Sequence, residues 1–364
     1  MRFVARLTLP ALLAMLPAIL AGGALDSLKS GKANLQSAGA LAFGPDAILL
    51  VGDSMGATIW AIDTGDRKAA SGGNFELAGL DAKVAAMLGS SRDQIAIHDM
   101  AVNPVSKNVY VSVSRGLGPA ATPVLVRVKR DGGMDELSLD SVRHASVSLP
   151  NAPGPDEKDR RGQSKRLEAI TDVKYVDGRV IVAGLSNEEF ASNLRAIPFP
   201  FSKADQGTSV EIFHGAHGRF ETNSPVRTFV PYEIQRESYI LAAYTCTPLV
   251  KFPVAQLKPG VKVMGETIAE LGNRNRPLDM IVYKKSGTDY ILMNNSSRGV
   301  MKMKADGLDK FPPIKQQTDI TGVPYQTIES LKGVEQLDAY DNERAIILAR
   351  SDAGSLDLRT IALP

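Results

Sequence analysis

Cysteine is almost absent from this sequence, which has a single one, Cys246, in 364 residues. One cysteine cannot form a disulfide within its own chain, so the fold must be stabilised by burial of apolar side chains and by closure of its sheets. Cys246 lies in the apolar segment LAAYTCTPLV, where we interpret it as a small buried or half-buried side chain. A reactive thiol would need a neighbouring base or cation, and the sequence around Cys246 offers none.

The sequence also lacks an excess of charge of one sign, because its 42 lysines and arginines nearly balance 40 aspartates and glutamates. This balance gives no electrostatic basis for binding nucleic acid, so no nucleic-acid partner is expected. Several catalytic motifs are missing as well: a phosphate-binding glycine loop, a G-x-S-x-G elbow, a C-x-x-C-H haem site and a zinc-binding cysteine cluster. The sequence therefore gives no motif that would indicate a P-loop nucleotide-binding protein, a G-x-S-x-G hydrolase, a c-type haem protein or a protein with a cysteine-based zinc site.

Long hydrophobic runs are absent beyond the N-terminus, where one run has the features of a targeting signal. Arg2 and Arg6 precede an apolar run over residues 7–20, and small residues occupy positions 21–24. This arrangement predicts a secretory signal peptide over residues 1–23 and a mature chain over residues 24–364, in the periplasm or outside the cell. An uncleaved anchor helix is the alternative, but the run is shorter than the ~20 residues that a bilayer requires. We expect no membrane insertion after cleavage.

One strand pattern recurs six times along the chain. Each copy has a strand, a short turn, a strongly apolar strand, a polar turn and a third strand of alternating character. The repetition predicts an all-β fold, namely a β-propeller with six four-stranded antiparallel blades in one domain over residues 24–364. Seven blades, or a pair of β-sandwiches, are the alternatives. The apolar second strands lie near Leu50, Tyr110, Ile181, Leu241, Leu292 and Ile347.

The outer strand of each blade has a weaker signal. Four segments that follow third strands are candidates for it: GNFELAGL, LSLDSV, TSVEIF and VMGETIAEL. The sixth copy ends at Pro364 without such a segment. We expect residues 28–36 to supply its outer strand, which would close the ring and cover an exposed sheet edge. A helical pattern is confined to AKVAAML, residues 82–88.

In a propeller the inner strands begin beside a central channel, so polar residues at these starts would meet in space. An aspartate recurs there at one equivalent position, as Asp99, Asp172, Asp279 and Asp338. Recurrence favours a structural role, in which each carboxylate accepts backbone N–H bonds and holds a blade to its neighbour. Ligand binding is the alternative. Other polar residues at strand starts and second turns are the binding candidates: Asp53, Asn187, Arg276, Arg298 and Glu335.

A cation site is a further hypothesis for the same face. Glu168, Asn275 and Asn295 do not recur in every copy, and their oxygens suit Ca²⁺ or another divalent cation. The alternative is that these residues only form solvated turns. His98 would stand near the channel mouth and is the candidate general base, although an isolated histidine is more often structural.

Two other segments bear on ligand binding. His214 and His217, three residues apart in FHGAHGRFETN, have a spacing that suits a transition metal, but a surface turn explains them equally well. Residues 151–166, NAPGPDEKDRRGQSKR, are a polar insertion before the third inner strand. We expect this insertion above the ligand face, either as a mobile lid or as a disordered solvated loop.

The copies LAFGPDAILLVGDS with TIWAIDTGD, and DMIVYKKSGTDYILMNNSSRGVMKM, resemble blades of bacterial NHL-type and gluconolactonase- or paraoxonase-like propellers. The resemblance covers nearly the whole mature chain and concerns the architecture. In lactonase-like members a glutamate, asparagines and an aspartate hold a divalent cation in the channel, and the matching types here are Glu168, Asn275 and Asn295. The first copy departs from that pattern, because GALAFG has no acidic residue where those enzymes begin their metal site.

Two functions follow as hypotheses. The first is an exported propeller that binds a protein or small-molecule partner on one face of the ring and performs no chemistry. The second is a metal-dependent hydrolase of the lactonase or phosphotriesterase type, with a cation in the central channel and His98 as its base. We expect a monomer in either case.

Overall fold

The computed structural model describes residues 23–246 and 248–364. The predicted signal peptide over residues 1–23 lies outside the described residues except for Gly23, so its cleavage stays a prediction. Within the described part of the chain, no helix is both long and apolar enough to cross a membrane.

Strands dominate the described residues, because β-branched and aromatic side chains fill the six copies. In the first half of the chain the strands are β1 Lys29–Gly31, β2 Leu41–Phe43, β3 Ile48–Asp53, β4 Thr58–Asp63, β5 Glu76–Leu77, β6 Ile95–Val102, β7 Val109–Arg115, β8 Thr122–Val128, β9 Met134–Glu136, β10 Val142–Ser148, β11 Asp172–Val176 and β12 Arg179–Leu185. In the second half they are β13 Ser192–Pro198, β14 Thr208–His214, β15 Arg219–Glu221, β16 Thr228–Ile234, β17 Glu237–Ala243, β18 Pro248–Pro253, β19 Lys262–Met264, β20 Glu266–Glu270, β21 Pro277–Lys285, β22 Thr288–Asn295, β23 Gly299–Lys304, β24 Thr321–Gly322, β25 Tyr325–Thr327, β26 Val334–Ala339, β27 Arg344–Arg350 and β28 Leu356–Ala362.

Helical structure is sparse in the described residues. The α-helix α1 covers Leu80–Met87, which confirms the helix expected near residues 82–88. Short 3₁₀ helices lie at Ala24–Ser27, Pro45–Ala47, Arg92–Gln94, Gly118–Ala120, Arg166–Glu168, Gly215–His217, Val254–Gln256 and Leu308–Lys310.

The described strands form six sheets, so the predicted six-bladed propeller is confirmed, but three of the sheets have five or six strands instead of the expected four. We number the sheets by the order of their inner strands in the chain and give the strands of each from the inside outward. They are sheet 1 (β2-β3-β4-β10-β1), sheet 2 (β6-β7-β8-β9), sheet 3 (β11-β12-β13-β14-β15, with β19 parallel to β14), sheet 4 (β16-β17-β18-β20-β24), sheet 5 (β21-β22-β23-β25) and sheet 6 (β26-β27-β28-β5).

Six hydrophobic clusters show which sheets are neighbours, because each cluster is shared by two sheets. Sheet 1 shares one cluster with sheet 2 and another with sheet 3, and sheet 2 shares one with sheet 6. The other three clusters join sheets 3 and 4, 4 and 5, and 5 and 6. The order around the ring is therefore 1-2-6-5-4-3, which differs from the order in the chain by an exchange of sheets 1 and 2. Contacts between neighbouring inner strands follow the same circle.

Two expectations about outer strands are wrong, and the positions of apolar side chains explain why. The outer strand of sheet 6 is β5, not the N-terminal segment, because Leu77 and the α1 residues Leu80 and Val84 pack into the joint between sheets 2 and 6. Residues 28–36 instead place β1 at the edge of sheet 1, where Leu28 is buried in the joint with sheet 3. The segment GNFELAGL thus serves the last sheet rather than the first.

The segment LSLDSV, residues 137–142, is not the outer strand of sheet 2 either, because β9 has that place. The chain then continues into β10, which pairs with β4 and becomes part of sheet 1. By contrast, TSVEIF and VMGETIAEL contain β14 and β20, which pair with the third strands of their own sheets as expected.

Aspartate carboxylates connect neighbouring inner strands. Asp99 accepts a hydrogen bond from the Leu41 backbone N–H at 2.6 Å, across the joint between sheets 2 and 1. Asp172 accepts one from the Phe229 N–H at 2.9 Å, across the joint between sheets 3 and 4. The equivalent bonds of the remaining two joints are Asp279 to Leu337 and Asp338 to Val102. The structural role predicted for the recurring aspartate is therefore confirmed at four of the six joints.

Removal of one such bond should destabilise the ring. In Asp172→Ala the N–H of Phe229, a fully buried residue, loses its acceptor, so we expect the free energy of unfolding to fall by about 1–3 kcal/mol. Asp172→Asn should lose less, because its amide oxygen can still accept this bond. Urea denaturation followed by the fluorescence of Trp60, the single tryptophan, measures both changes.

Glu189→Ala is the matched control, because Glu189 is exposed in a turn of the same sheet and should change stability little. Equal stability of Asp172→Ala and this control would contradict a stabilising role for the inter-sheet bond.

Candidate functional site

A cavity of about 1180 Å³ lies where the inner strands of all six sheets begin. Sheet 2 contributes His98 and Ser114, and Gln336 comes from sheet 6. Apolar side chains, among them Met55 and Leu278, form other parts of the wall. The convergence of strand starts that the repeat pattern predicted is therefore present, and it produces one concave surface rather than a filled channel.

Carboxylates dominate the charge of this cavity. Five acidic residues line it against two arginines: Asp99, Asp156, Glu168, Asp172 and Asp279, with Arg227 and Arg276. Asp172 also borders Lys174, since Lys174 Nζ lies 3.3 Å from Asp172 Oδ1. We define the aspartate cluster as Asp99, Asp172, Asp279 and Asp338 together with Lys174, whose ammonium is the positive charge among them.

Three aspartates of the cluster, Asp99, Asp279 and Asp338, hold protons more tightly than aspartates in water. Burial raises the pKa of Asp99 to about 7, although attraction to Lys174 partly opposes this rise. Burial also raises the pKa of Asp279, with a further contribution from repulsion by Asp99. The pKa of Asp338 is raised by burial as well. Asp99 therefore binds a proton near neutral pH, which reduces the negative charge of the cluster.

Lys174 responds in the opposite way. Burial alone would lower the pKa of its ammonium, but attraction to Asp172, Asp99 and the other two aspartates outweighs burial and raises it. Lys174 therefore stays positively charged over the physiological pH range. Lys174 was not among the candidates from the sequence, because it meets aspartates of other sheets only when the strand starts are brought together.

His98 lines the cavity together with a hydroxyl. Its Nε2 lies 2.7 Å from Ser114 Oγ, and its backbone oxygen accepts a hydrogen bond from Gln336 Nε2 at 2.9 Å. Burial lowers the pKa of His98, so the imidazole is neutral at neutral pH. A neutral imidazole beside a hydroxyl has the arrangement that a general base needs. The catalytic role of His98 stays a prediction.

The three residues proposed as cation ligands each have another polar partner in the structure. Glu168 lines the cavity and forms an ion pair with Arg227. Asn275 and Asn295 are both buried, and Asn275 Nδ2 donates to Asn295 Oδ1 at 3.0 Å. Neither asparagine is part of the cavity lining. A divalent cation at these three residues stays a prediction that this geometry does not favour, because the guanidinium of Arg227 already neutralises the single carboxylate.

Among the five binding candidates, Arg276 is exposed at the cavity wall. Asp53 is 1% exposed, and its carboxylate accepts hydrogen bonds from the backbone of Gln36, Ser37 and Gly56. These bonds hold the segment that precedes β2, and the binding role of Asp53 stays a prediction.

The other three candidates lie outside the cavity lining. Asn187 is exposed in a separate groove beside the polar insertion. Glu335 forms an ion pair with Arg350, and Arg298 donates to the backbone oxygen of Asn273 at 3.2 Å. Their binding roles remain predictions without a shared site.

The polar insertion over residues 151–166 borders the cavity, as expected, through Pro155, Asp156 and Ser164. It is held by local contacts: Lys165 Nζ lies 2.7 Å from Glu157 Oε1, and the Asp159 N–H donates to the backbone oxygen of Gln163 at 2.8 Å. The insertion therefore has a defined turn structure instead of the disordered loop that we considered. Motion of this segment as a lid stays a prediction.

No protein-family model and no curated protein matches this sequence. Among solved structures, similar chains include a protein described as an oxidoreductase (glucose dehydrogenase) of Thermus thermophilus, with 12% identity, coverage of 92% of this chain and 100% of that chain, and a TM-score of 0.37. Another is the PQQ-bound form of an aldose sugar dehydrogenase from Streptomyces coelicolor, with 10% identity, coverage of 91% and 96%, and a TM-score of 0.33. The Dos1 propeller has 12% identity, coverage of 93% and 96%, and a TM-score of 0.28. These low scores carry no inference about activity, and the six-sheet ring rests on the strand pairing of this chain.

The raised pKa of Asp99 predicts how stability depends on pH. A carboxyl group whose pKa is higher in the folded than in the unfolded chain stabilises the fold at low pH, and this contribution is lost as the pH rises through about 7. The free energy of unfolding should therefore decline between pH 4 and pH 7. In Asp99→Asn we expect a flatter decline, by at most ~1.4 kcal/mol per pH unit for one proton. Urea denaturation at a series of pH values measures the slope.

Asp140→Asn serves as control, because it removes a carboxylate that is 80% exposed. The control should keep the slope of the unchanged protein. A slope in Asp99→Asn that also equals this value would show that Asp99 does not hold the proton.

Proposed function

We propose that this protein binds a small molecule with a positively charged group in the cavity at the strand starts, and that it acts by binding the molecule rather than by transforming it. The observation that carries the proposal is a cavity of about 1180 Å³ in which five acidic residues outnumber two arginines. Such a volume exceeds what a drug-sized ligand needs. Because the surface is concave, a small molecule suits it better than the face of a protein partner.

The distribution of charge supports a cationic group. Arg227 is already paired with Glu168, so this arginine adds little attraction for an anion. The carboxylates of Asp99, Asp172 and Asp279 all line the cavity. An ammonium or similar group near these carboxylates would balance their negative charge in place of the protons bound by Asp99 and Asp279. Apolar wall residues such as Met55 and Leu278 would contact the body of the ligand.

The partners of the polar side chains favour binding over chemistry. The three residues proposed as cation ligands are engaged with each other or with Arg227, which supports binding more than the metal site that the hydrolase hypothesis needs. An exported location would place the binding function in the periplasm or outside the cell, and this location still rests on the predicted signal peptide alone.

Hydrolysis is the second candidate function, because one observation favours it. The hydrogen bond between His98 Nε2 and Ser114 Oγ places a base next to a hydroxyl nucleophile inside the cavity. A step through this pair would transfer the Ser114 proton to His98 as Oγ attacks the carbonyl carbon of an ester or lactone. The C–O bond to the leaving alcohol would then break, and His98 would return the proton to that alcohol. Within the described ranges, the observed contacts show no carboxylate that orients the other nitrogen of His98, as the third member of a catalytic triad would.

A fragment library sorted by net charge tests the proposal. Ligand-observed NMR at pH 8 should find cationic fragments enriched over neutral and anionic ones among those that bind. Binding of these cations should weaken about 3- to 10-fold in Asp99→Asn, because one carboxylate is lost from the cavity while the amide oxygen can still accept the Leu41 N–H.

Asp131→Asn is the matched control, since Asp131 is exposed in a turn of the same sheet and does not line the cavity. An absence of cation enrichment, or equal weakening in both variants, would refute the charge preference. Cleavage of ester or lactone fragments in the same samples, lost in Ser114→Ala, would instead support the hydrolase.

Binding of a cation should also release protons. Asp99 has a pKa of about 7 in the ligand-free protein, and a bound positive charge would lower that pKa. The affinity for the strongest cationic fragment should therefore rise between pH 6 and pH 8. Calorimetric titration in two buffers of different ionisation enthalpy measures the number of protons released. A net uptake of protons at pH 7 would contradict the proposed contact with Asp99.

A further inference from the structure

The tertiary structure brings Cys246 next to the histidine pair that the sequence left without a partner. His214 ends β14 of sheet 3, and His217 ends the 3₁₀ helix Gly215–His217 that follows it. Cys246 lies in the turn after β17 of sheet 4. One ring nitrogen of each histidine and the Cys246 sulfur all lie within 4.8 Å of one another. None of the three residues lines the large cavity, so this cluster is separate from the proposed binding site.

A single carboxylate orients both imidazoles. His214 Nδ1 lies 2.9 Å from Glu221 Oε2, and His217 Nδ1 lies 2.6 Å from Glu221 Oε1. Arg219 also contacts Glu221 through its Nε at 3.3 Å. When Nδ1 donates its proton to a carboxylate, Nε2 becomes the atom with a free lone pair. A carboxylate behind the histidine is the usual support of a metal-bound imidazole.

The free nitrogen of His214 has no partner of its own. His214 is 2% exposed, and its Nε2 is buried without a hydrogen bond among the described residues. A buried nitrogen in this state loses its contacts with water and receives no hydrogen bond in return, which destabilises the folded protein. A bound metal ion would satisfy this lone pair.

The backbone holds the two parts of the cluster in place. Glu270 accepts a hydrogen bond from the Gly215 N–H at 2.6 Å, which fixes the turn between the two histidines. Cys246 has a φ of +65°, a left-handed conformation that is unfavourable for a residue with a side chain. Its N–H donates to the backbone oxygen of Asn275 at 2.7 Å. Strained backbone of this kind is frequent at functional sites.

We propose that His214, His217 and Cys246 form a binding site for Zn²⁺ or a similar first-row transition ion that accepts thiolate ligands. Two imidazole nitrogens and one sulfur are donors that such ions prefer, whereas Ca²⁺ and Mg²⁺ require oxygen ligands. Three protein ligands leave the fourth tetrahedral position open for water or another molecule. The His217 side chain is 41% exposed and Cys246 is half-buried, so an ion can reach the site from solvent.

Cobalt titration tests this site directly. The protein is purified without a histidine tag, treated with a chelator and a reductant that does not bind metals, and titrated with Co²⁺. We expect one equivalent to bind with a near-ultraviolet charge-transfer band from thiolate to Co²⁺. One equivalent of Zn²⁺ should then abolish the spectrum. Loss of the band is expected in Cys246→Ser, and a 10- to 100-fold weaker affinity for Zn²⁺ in Glu221→Gln.

His144→Ala is the matched control, because His144 lies on the outer part of sheet 1 and is not part of the cluster. This variant should bind Co²⁺ like the unchanged protein. Circular dichroism of each variant checks that it folds, and His217→Ala, which changes a partly exposed side chain, keeps the test valid if Cys246→Ser does not fold. The proposal is overturned if the unchanged protein binds no stoichiometric Co²⁺, or if the band persists in Cys246→Ser or His217→Ala.

Discussion

Each sheet of this protein is buried on both faces by its two neighbours, and the rest of the structure depends on this mutual burial. The middle strands show the consequence: β3, for example, is buried along its whole length. A hydrophobic cluster fills each of the six joints, so apolar burial is distributed around the ring instead of being concentrated in one centre. With one cysteine in the chain, closure of this ring replaces covalent cross-links.

Closure also creates the charged centre of the molecule. Inner strands that meet around a channel need acceptors for backbone N–H groups, and four aspartates supply them across four joints. The same geometry crowds these carboxylates together, which raises the pKa of Asp99, Asp279 and Asp338 and leaves Lys174 as their shared counter-charge. The structural aspartates thus also belong to the proposed ligand site, because carboxylates that connect neighbouring sheets also contribute the charge of the cavity.

The predictable part of the site was the part repeated in the sequence. Asp99 and its three equivalents could be found because one position recurs in four copies, and recurrence indicated their role correctly. Lys174 and Arg227 have no equivalents in the other copies, so repetition did not distinguish them from surface residues. The pairing of Glu168 with Arg227 could not be predicted either, since these residues belong to different sheets and meet only when the ring closes.

The sequence by itself determined the all-β class, the six copies and the inner three strands of each sheet, because alternation of apolar and polar residues is a local property. Only the tertiary structure decided which edge the outer strands of sheets 1, 2 and 6 join. The two-residue strand β5 pairs with sheet 6 because its own Leu77 and the nearby Leu80 fill the joint between sheets 2 and 6, and this pairing accompanies the exchange of sheets 1 and 2 around the ring. Cys246 likewise lies next to His214 and His217 only in the folded chain, because these residues belong to turns of adjacent sheets. No local sequence pattern predicts that these turns are close together.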